Sequence, residues 1–288
     1  MKRNLLLVGP GYLGQEILRE FETAGWDVTT ASRSGSSNGY KVNISDRSQV
    51  EELAKKLSDE DKLPSHVIHC ASASAGRGAS MEKRLQAYED VYKNGCENLT
   101  SAFSGAHVLF TSSSSVYGQS DGSVVTEESL TEPIAETAKI LVVTEQTILS
   151  SNGTVARLSG IYGHEKSYLL KRLFSGEAVM DGGGERVLNH IHHRDGAKAC
   201  LLLLEKGLRG VYNVSETTNL TLKETYTALC EMFSISMPSS EPATHTTRLK
   251  LNKRVSNQKL LDQGWELEFP SFLDSAPSVA TSMNLIQR

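Results

Sequence analysis

The stretch Asn4-Leu5-Leu6-Leu7-Val8-Gly9-Pro10-Gly11-Tyr12-Leu13-Gly14 decides the fold. An uninterrupted apolar run of this length reads as a strand buried on both faces, and the segment from Tyr12 to Ala24 after it has helical periodicity. The GxGxxG spacing of Gly9, Gly11 and Gly14 falls at the junction, where the glycines permit a sharp turn, close backbone approach to a pyrophosphate, and tight packing of helix on strand. The helix N-terminus adds free amides and a positive dipole. Gly9, Gly11, Tyr12, Leu13 and Gly14 are therefore the expected cradle of a dinucleotide.

Outward from this junction, strands and helices alternate. Strands are expected at Asp27 to Ala31, Tyr40 to Val42, His66 to Cys70, His107 to Phe110 and Thr154 to Leu158. Helices are expected around Val50 to Leu57, Leu85 to Phe103 and Ala135 to Ser150. That alternation predicts an α/β Rossmann fold with a doubly wound parallel sheet, in which ligands sit beyond the carboxyl ends of the strands. After Gly160 the rhythm loosens into a helix at Tyr168 to Phe174, a turn at Gly182 to Gly184, a strand at Val187 to His192, a helix at Gly196 to Leu208, a strand at Val211 to Val214 and a helix at Leu222 to Phe233. Ser236 to Thr247 reads as a surface loop. Residues 1–160 are expected to form the dinucleotide-binding domain, and residues 161–288 a small C-terminal substrate lobe interleaved with the last strands of the sheet.

With 39% hydrophobic and 22% charged residues, the chain has the balance of a globular protein. A net charge of -4 gives no broad basic field, so neither nucleic acid nor a membrane surface is an expected partner. The opening MKRNLLLVG has too few apolar residues for a signal h-region, and no stretch is long enough to span a bilayer. Cys70, Cys96, Cys200 and Cys230 are scattered, which predicts reduced thiols in the cytoplasm rather than disulfides or a zinc site.

Cofactor type is read at the end of the second strand. A carboxylate about 20 residues after the glycines would hold the ribose 2′-hydroxyl of NAD. Here the chain reads Ala31-Ser32-Arg33-Ser34, an arginine between two hydroxyls, suited to charge-assisted bonds with a 2′-phosphate. NADP is expected, with NAD as the alternative.

Thr111-Ser112-Ser113-Ser114-Ser115-Val116-Tyr117-Gly118 resembles the SSxxVYG segment of the extended short-chain dehydrogenases, the NAD-dependent epimerase/dehydratase family. His69-Cys70-Ala71-Ser72-Ala73, Arg157-Leu158-Ser159-Gly160-Ile161-Tyr162-Gly163, Ile191-His192-His193-Arg194-Asp195-Gly196, Tyr212-Asn213-Val214 and Val255-Ser256-Asn257-Gln258-Lys259-Leu260-Leu261 extend the likeness in the family's order. The resemblance implies that Asn43 and Ile44 flank the adenine, that Ala71 and Ala73 lie on the nicotinamide side, and that Ser113 hydrogen-bonds a substrate oxygen. It also implies dimerisation through the helices around Leu85 to Phe103 and Ala135 to Ser150.

The departure lies in the family's YxxxK pair. Counting back from Glu145 puts Thr137 at the tyrosine position and Leu141 at the lysine position, and neither can act as base or donor near neutral pH. The chain thus resembles the atypical members. Lys139 is a substitute cation two residues away, about 200° around the helix from Leu141. Tyr117, Tyr162 and Tyr92 are alternative phenols, with Tyr117 the candidate acid–base residue beside Ser113. His190 and His192 share one face of a strand with His193 on the other; lacking a third ligand, they are expected to be packing groups rather than a metal site. The expected function is NAD(P)-dependent oxidation, reduction or epimerisation at a hydroxyl or carbonyl of a small polar metabolite or sugar. The alternative is a catalytically inactive cofactor-binding or sensing protein on the same scaffold.

Overall fold

The computed structural model describes residues 3–35, 39–76, 78–242 and 251–286. In chain order its elements are β1 (Asn4–Val8), α1 (Tyr12–Thr23), β2 (Asp27–Ser32), β3 (Tyr40–Lys41), α2 (Arg47–Asp59), β4 (His66–His69), α3 (Met81–Tyr88), a π-helical segment (Glu89–Asn94), α4 (Gly95–Ala102), β5 (His107–Ser113), β6 (Val124–Val125), α5 (Glu136–Ser150), β7 (Thr154–Leu158), β8 (Gly160–Tyr162), α6 (Tyr168–Phe174), β9 (Val179–Asp181), β10 (His190–His192), α7 (His193–Glu205), β11 (Gly210–Val214), α8 (Leu222–Phe233), β12 (Ser239–Glu241), β13 (Arg254–Val255), α9 (Gln258–Leu261) and α10 (Phe272–Ser282).

The apolar strands form a seven-stranded sheet in the order β11-β7-β5-β4-β1-β2-β3. β1 runs parallel to both neighbours, Leu6 lying opposite Thr29 on β2 and Val67 on β4, and β5 continues the parallel ladder beyond β4. From β1 the chain winds outward to β3, then returns to β4 on the other side. The carboxyl ends of β1 and β4 therefore flank the switch point where doubly wound sheets bind ligands. This is the α/β Rossmann architecture that the alternation predicts. Helix α1 covers the sheet with Leu13, Ile17 and Phe21, four residues apart and all buried. Helix α2 starts at Asp46, whose carboxylate accepts from the Ser48 and Gln49 amides, and buries Val50, Leu53 and Leu57.

The chain divides into two compact units. Unit 1 comprises Met1–Val116, Pro133–Arg157 and Ala197–Tyr212, and unit 2 comprises Tyr117–Glu132, Leu158–Gly196 and Asn213–Arg288. Unit 2 has its own core, including Tyr162, Leu170, Leu229, Phe272, Ala276 and Val279. Among the described residues no helix is long and apolar enough to cross a membrane.

Three local readings need correction. The single helix expected at Leu85 to Phe103 begins at Met81 and carries the π-helical segment Glu89–Asn94. There the Val91 carbonyl lies 2.8 Å from Nε2 of fully buried His69, an acceptor role that ordinary helical bonding would compete for. His193, expected on a strand, is the first residue of α7. The cause is Asp195, fully buried, whose carboxylate accepts from the backbone N–H groups of Glu268 and Phe269 at 2.8 and 2.9 Å while standing in the first turn of the helix. Within Ser236 to Thr247, expected as loop, Ser239–Glu241 pairs in parallel with β9; residues 243–247 lie outside the described residues.

Two buried polar groups tie unit 1 together. Arg157 on β7 meets Glu145 on α5 through Nε at 3.1 Å and Nη2 at 2.6 Å, and Ser112 on β5 donates to the same carboxylate at 2.6 Å. On the adjacent strands, Thr154 donates to the Leu208 carbonyl, so the 2.6 Å contact of His107 Nε2 with Thr154 Oγ1 requires the imidazole to donate. The Nδ1 of His107 is buried and unpartnered, and burial holds the pKa down at about 3, so the ring is neutral; burial lowers His69 to about 4.

Arg157→Met should destabilise the protein by about 3–5 kcal/mol, since it leaves the Glu145 carboxylate buried without its cation. Chemical denaturation measures this, and a loss under about 1 kcal/mol would show that the pair is not a strut. Both depressed histidines also predict acid sensitivity. Between an unfolded pKa of 6.5 and the folded values of about 4 and about 3, the unfolded chain binds more protons, so stability falls as pH drops below 6.5. The slope should be roughly 1.4 kcal/mol per pH unit for each histidine. His107→Gln should remove its share in denaturation curves taken from about pH 7 to about pH 4.5, and an unchanged slope would contradict the assignment.

Candidate functional site

The three motif glycines meet three different requirements. Gly9 has φ +86°, and a Cβ there would stand 2.3 Å from the Ala71 Cα. A Cβ on Gly14 would stand 2.3 Å from the Gly9 carbonyl oxygen, so helix and turn touch backbone to backbone. Around Gly11 nothing lies within 4 Å of such a Cβ. Packing therefore requires Gly9 and Gly14, whereas the space above Gly11 is open to a ligand. Helix α1 begins at this point with no side-chain cap and no acidic residue in its first turn. That end suits an anion.

The other candidate cofactor residues occupy the same edge of unit 1. Ser32 ends β2, and Arg33 and Ser34 follow it, both exposed. Asn43 follows β3; its side-chain oxygen accepts from the Ser45 amide and hydroxyl, and its own amide donates to Gln49 Oε1 at 3.0 Å. Ile44 is buried, and its carbonyl accepts from Asn98 at 2.9 Å. Its side chain would lie 2.8 Å from a Cβ on Gly95, so α4 presses close against this loop. Ala71 lies against Gly9, and the Ala73 amide donates to the Tyr92 hydroxyl at 3.2 Å. A cleft of about 300 Å³ opens beside Ala73, lined also by Ser74, Gly76, Arg84 and Tyr88.

Ser113 is the last residue of β5, at the carboxyl end of the strand. Its oxygen accepts from the Ser115 amide at 3.1 Å, which leaves the hydroxyl proton to donate outward. The remaining catalytic candidates have partners of their own. Lys139 is exposed and paired with Glu136 on its own helix at 2.6 Å, while Leu141 is buried in the face of α5. Tyr117, in unit 2, is fully buried and donates its hydroxyl to Asn213 at 2.8 Å. Burial pushes the Tyr92 phenol up to about 12, away from the range of a base at neutral pH. Tyr162 and Lys166 have the four-residue spacing of a YxxxK pair, but Gly163 and Lys166 close a tight turn between them. Tyr162 is buried against Phe272, with its hydroxyl accepting from Ser275 at 3.1 Å.

Unit 2 also contains groups that sequence reasoning missed. Lys253 is buried, and its ammonium donates to the Tyr117 carbonyl at 2.8 Å. Burial, with Arg186 adding repulsion, lowers its pKa to about 8. Asn213 accepts from Tyr117 and donates to the Ser256 carbonyl at 3.0 Å, fixing the tyrosine of the VYG segment. Glu216, buried, lies beside His190. The spacings carry no signal for these pairs, since each partner comes from a distant segment.

Comparison with known proteins agrees with this architecture. The chain is 24% identical over 284 residues to Protein YeeZ of Escherichia coli (strain K12), covering 93% of this chain and 97% of that protein. It is 24% identical over 236 residues to a sterol-4-alpha-carboxylate 3-dehydrogenase (decarboxylating) of Dictyostelium discoideum, covering 72% and 69% of the two. Among solved structures, the UDP-glucose 4-epimerase of Thermotoga maritima with UDP-glucose superposes with a TM-score of 0.78 at 20% identity, covering 98% of each chain. The UDP-glucose 4-epimerase of Thermus thermophilus in complex with NAD gives 0.78 at 20% identity, covering 97% of this chain and 99% of that one. The model of the NAD dependent epimerase/dehydratase family matches residues 5–215, so the chain, with its glycine junction, its open helix N-terminus and its Ser113 strand end, belongs to that family.

Proposed function

We propose that the protein is an NADP-dependent oxidoreductase or epimerase acting on a hydroxyl or carbonyl of a small polar metabolite or sugar. The observation that carries this reading is the open space over Gly11 at an uncapped helix start, on the same sheet edge as the exposed Arg33. Gly9, Gly11, Tyr12, Leu13 and Gly14 would receive the pyrophosphate, and Ser32, Arg33 and Ser34 the 2′-phosphate. Asn43 and Ile44 would flank the base, and Ala71 and Ala73 the nicotinamide side. A bound nicotinamide dinucleotide would supply hydride transfer. Ser113 orients the substrate oxygen by donating its hydroxyl proton. Tyr117, held by Asn213, shapes the segment after it, and Lys139 remains a surface cation. The protein works in the cytoplasm with its thiols reduced, and pairs with a second copy through α4 and α5, where Val143 and Leu149 are exposed.

A second reading is supported by α5, which carries Thr137 and a buried Leu141 at the positions that the resemblance assigns to the family's tyrosine and lysine. On that reading the protein binds the cofactor and has lost catalysis. A panel of polyols, ketoses and nucleotide sugars assayed for cofactor turnover separates the two. Turnover that Ser113→Ala lowers at unchanged cofactor affinity supports the enzyme. Tight binding without turnover supports the binding protein.

Arg33→Ala should weaken NADPH by roughly 10- to 150-fold, the equivalent of a charged hydrogen bond of about 1.5–3 kcal/mol, and leave NADH within a few-fold. Fluorescence titration checks this, and equal losses for both cofactors would rule out recognition of the 2′-phosphate. Gly11→Asp, which fills the open space with a negative charge, should abolish binding of either cofactor while the melting temperature stays close to that of the parent. Unchanged affinity would remove the pyrophosphate from Gly11.

A further inference from the structure

We propose that the cleft between the loop after β4 and helix α3 is a subsite for the carboxylate of a small polar substrate, held by Arg84 and Tyr88, so that the substrate is a hydroxy or keto acid or an acidic sugar rather than a neutral one. The inference rests on the enzyme reading above, which leaves the charge of the substrate open, and every residue in it belongs to unit 1.

Both walls of the cleft are anchored. On the loop side, the Cys70 amide donates to the Val8 carbonyl at 2.8 Å and Ala71 packs against Gly9. The chain then passes Ala73, Ser74, Gly76 and Gly78 along the cleft before Ser80 caps α3 by accepting from the Lys83 amide. On the helix side, Arg84, Ala87 and Tyr88 line the cleft from one face of α3, three and four residues apart. The π-helical segment that follows carries Tyr92, whose ring meets Tyr88 edge-on at 5.0 Å and whose hydroxyl accepts from the Ala73 amide at 3.2 Å. Tyr92 therefore ties the helix wall to the loop wall. Short π-helical segments are rare and are frequent at functional sites, and this one sets the tyrosine that braces the cleft.

The cleft, about 300 Å³, lies at the small end of ligand pockets, which suits a small metabolite. At Gly76 and Gly78, with φ of +85° and +79°, nothing lies within 4 Å of where a Cβ would stand, so the loop presents bare backbone beside open space.

The lining has one charged group, and that charge is not neutralised. Arg19, Arg47 and Lys139 each pair with a carboxylate one turn away on the same helix. One turn from Arg84 stand Ser80, Met81, Ala87 and Tyr88 instead. Its guanidinium, a permanent cation, makes no hydrogen bond or ion pair among the described residues, and the Tyr88 hydroxyl makes no hydrogen bond among them either. Nearby carboxylates are directed elsewhere: Glu82 lies about 200° around the helix from Arg84, and Asp90 accepts from Gln86 at 3.0 Å. A guanidinium fork binds the two oxygens of a carboxylate in parallel, and a phenol one turn away donates to one of them. One cation matches the single charge of a carboxylate, whereas a phosphate monoester brings up to two. Ser113 ends β5, the parallel neighbour of β4, so the subsite and the hydroxyl proposed to orient the reacting oxygen stand at the carboxyl ends of adjacent strands.

The test uses the full chain with NADP+ present and probes matched except in charge: D-glucuronate and D-gluconate as acids, D-glucose, and D-glucose 6-phosphate. Calorimetric titration should show at least one acid binding about 10-fold or more tighter than glucose. Arg84→Gln, at an exposed position, should abolish that preference and leave NADPH affinity unchanged. Tyr88→Phe should reduce the preference several-fold, and Lys83→Gln, which removes the neighbouring surface cation, should leave it intact. In NMR spectra the Arg84 Nε–Hε signal, identified by its loss in Arg84→Gln, should shift with the acid and not with glucose. Failure of both acids to bind, or a preference that survives Arg84→Gln, overturns the proposal. Glucose 6-phosphate binding more tightly than either acid through Arg84 overturns the assignment to a carboxylate. Because these readouts are binding, they stand apart from turnover: an Arg84-dependent acid that is never turned over withdraws the enzyme reading and keeps the subsite, whereas turnover of neutral sugars that Arg84→Gln does not alter keeps the enzyme reading and removes the subsite.

Discussion

The close approach of the Gly9 and Ala71 backbones sets the architecture of the binding edge. β1 and β4 are neighbours in the sheet, and beyond their last residues the two chains would collide if either carried bulk at that level. Gly9 removes the bulk and takes a positive φ, which directs the chain into α1. Because the Gly14 backbone in turn rests on the Gly9 carbonyl, the start of α1 is fixed relative to both strands. An anion site made of helix amides works only if those amides are held in place, and here backbone contact holds them without any side chain.

The stability of α5 rests on one buried ion pair and one apolar face. The anchors of α5 are Glu145, bound to Arg157 and Ser112, and an apolar face that includes Leu141 and Ile148. Neither anchor involves position 137. The scaffold therefore tolerates threonine and leucine at 137 and 141 without disturbing the end of β5, where Ser113 stands. Leu141 adds apolar burial to that face which a charged side chain would not, so the residue favours the fold.

Much of unit 1 was legible because its signals are local. The apolar run of β1, the glycine spacing and the helical period of α1 are read from adjacent residues, and Thr137 and Leu141 are found by counting. The misreadings fall where a distant side chain determined the local outcome. His69 accounts for the π-helical segment by engaging the Val91 carbonyl, and Asp195 draws the start of α7 back to His193 by binding the backbone at Glu268 and Phe269. In unit 2 the same limit applies: His190 was visible as one of three crowded histidines, but the Glu216 carboxylate beside it follows another strand end, and no spacing in the sequence announces that contact.

The buried polar groups of unit 2 differ in what they leave unsatisfied. Asp195 binds two backbone amides, Asn213 bridges Tyr117 and Ser256, and Lys253 holds the Tyr117 carbonyl; each has a structural role in proportion to its burial. Glu216 is held less fully: one oxygen stands at ion-pair distance from the His190 imidazole, and burial raises its pKa. A glutamine could fill the same volume without a buried charge, and an apolar residue would pack there at no electrostatic cost. The Glu216 carboxylate is therefore a cost to the fold that its contact with His190 offsets only in part.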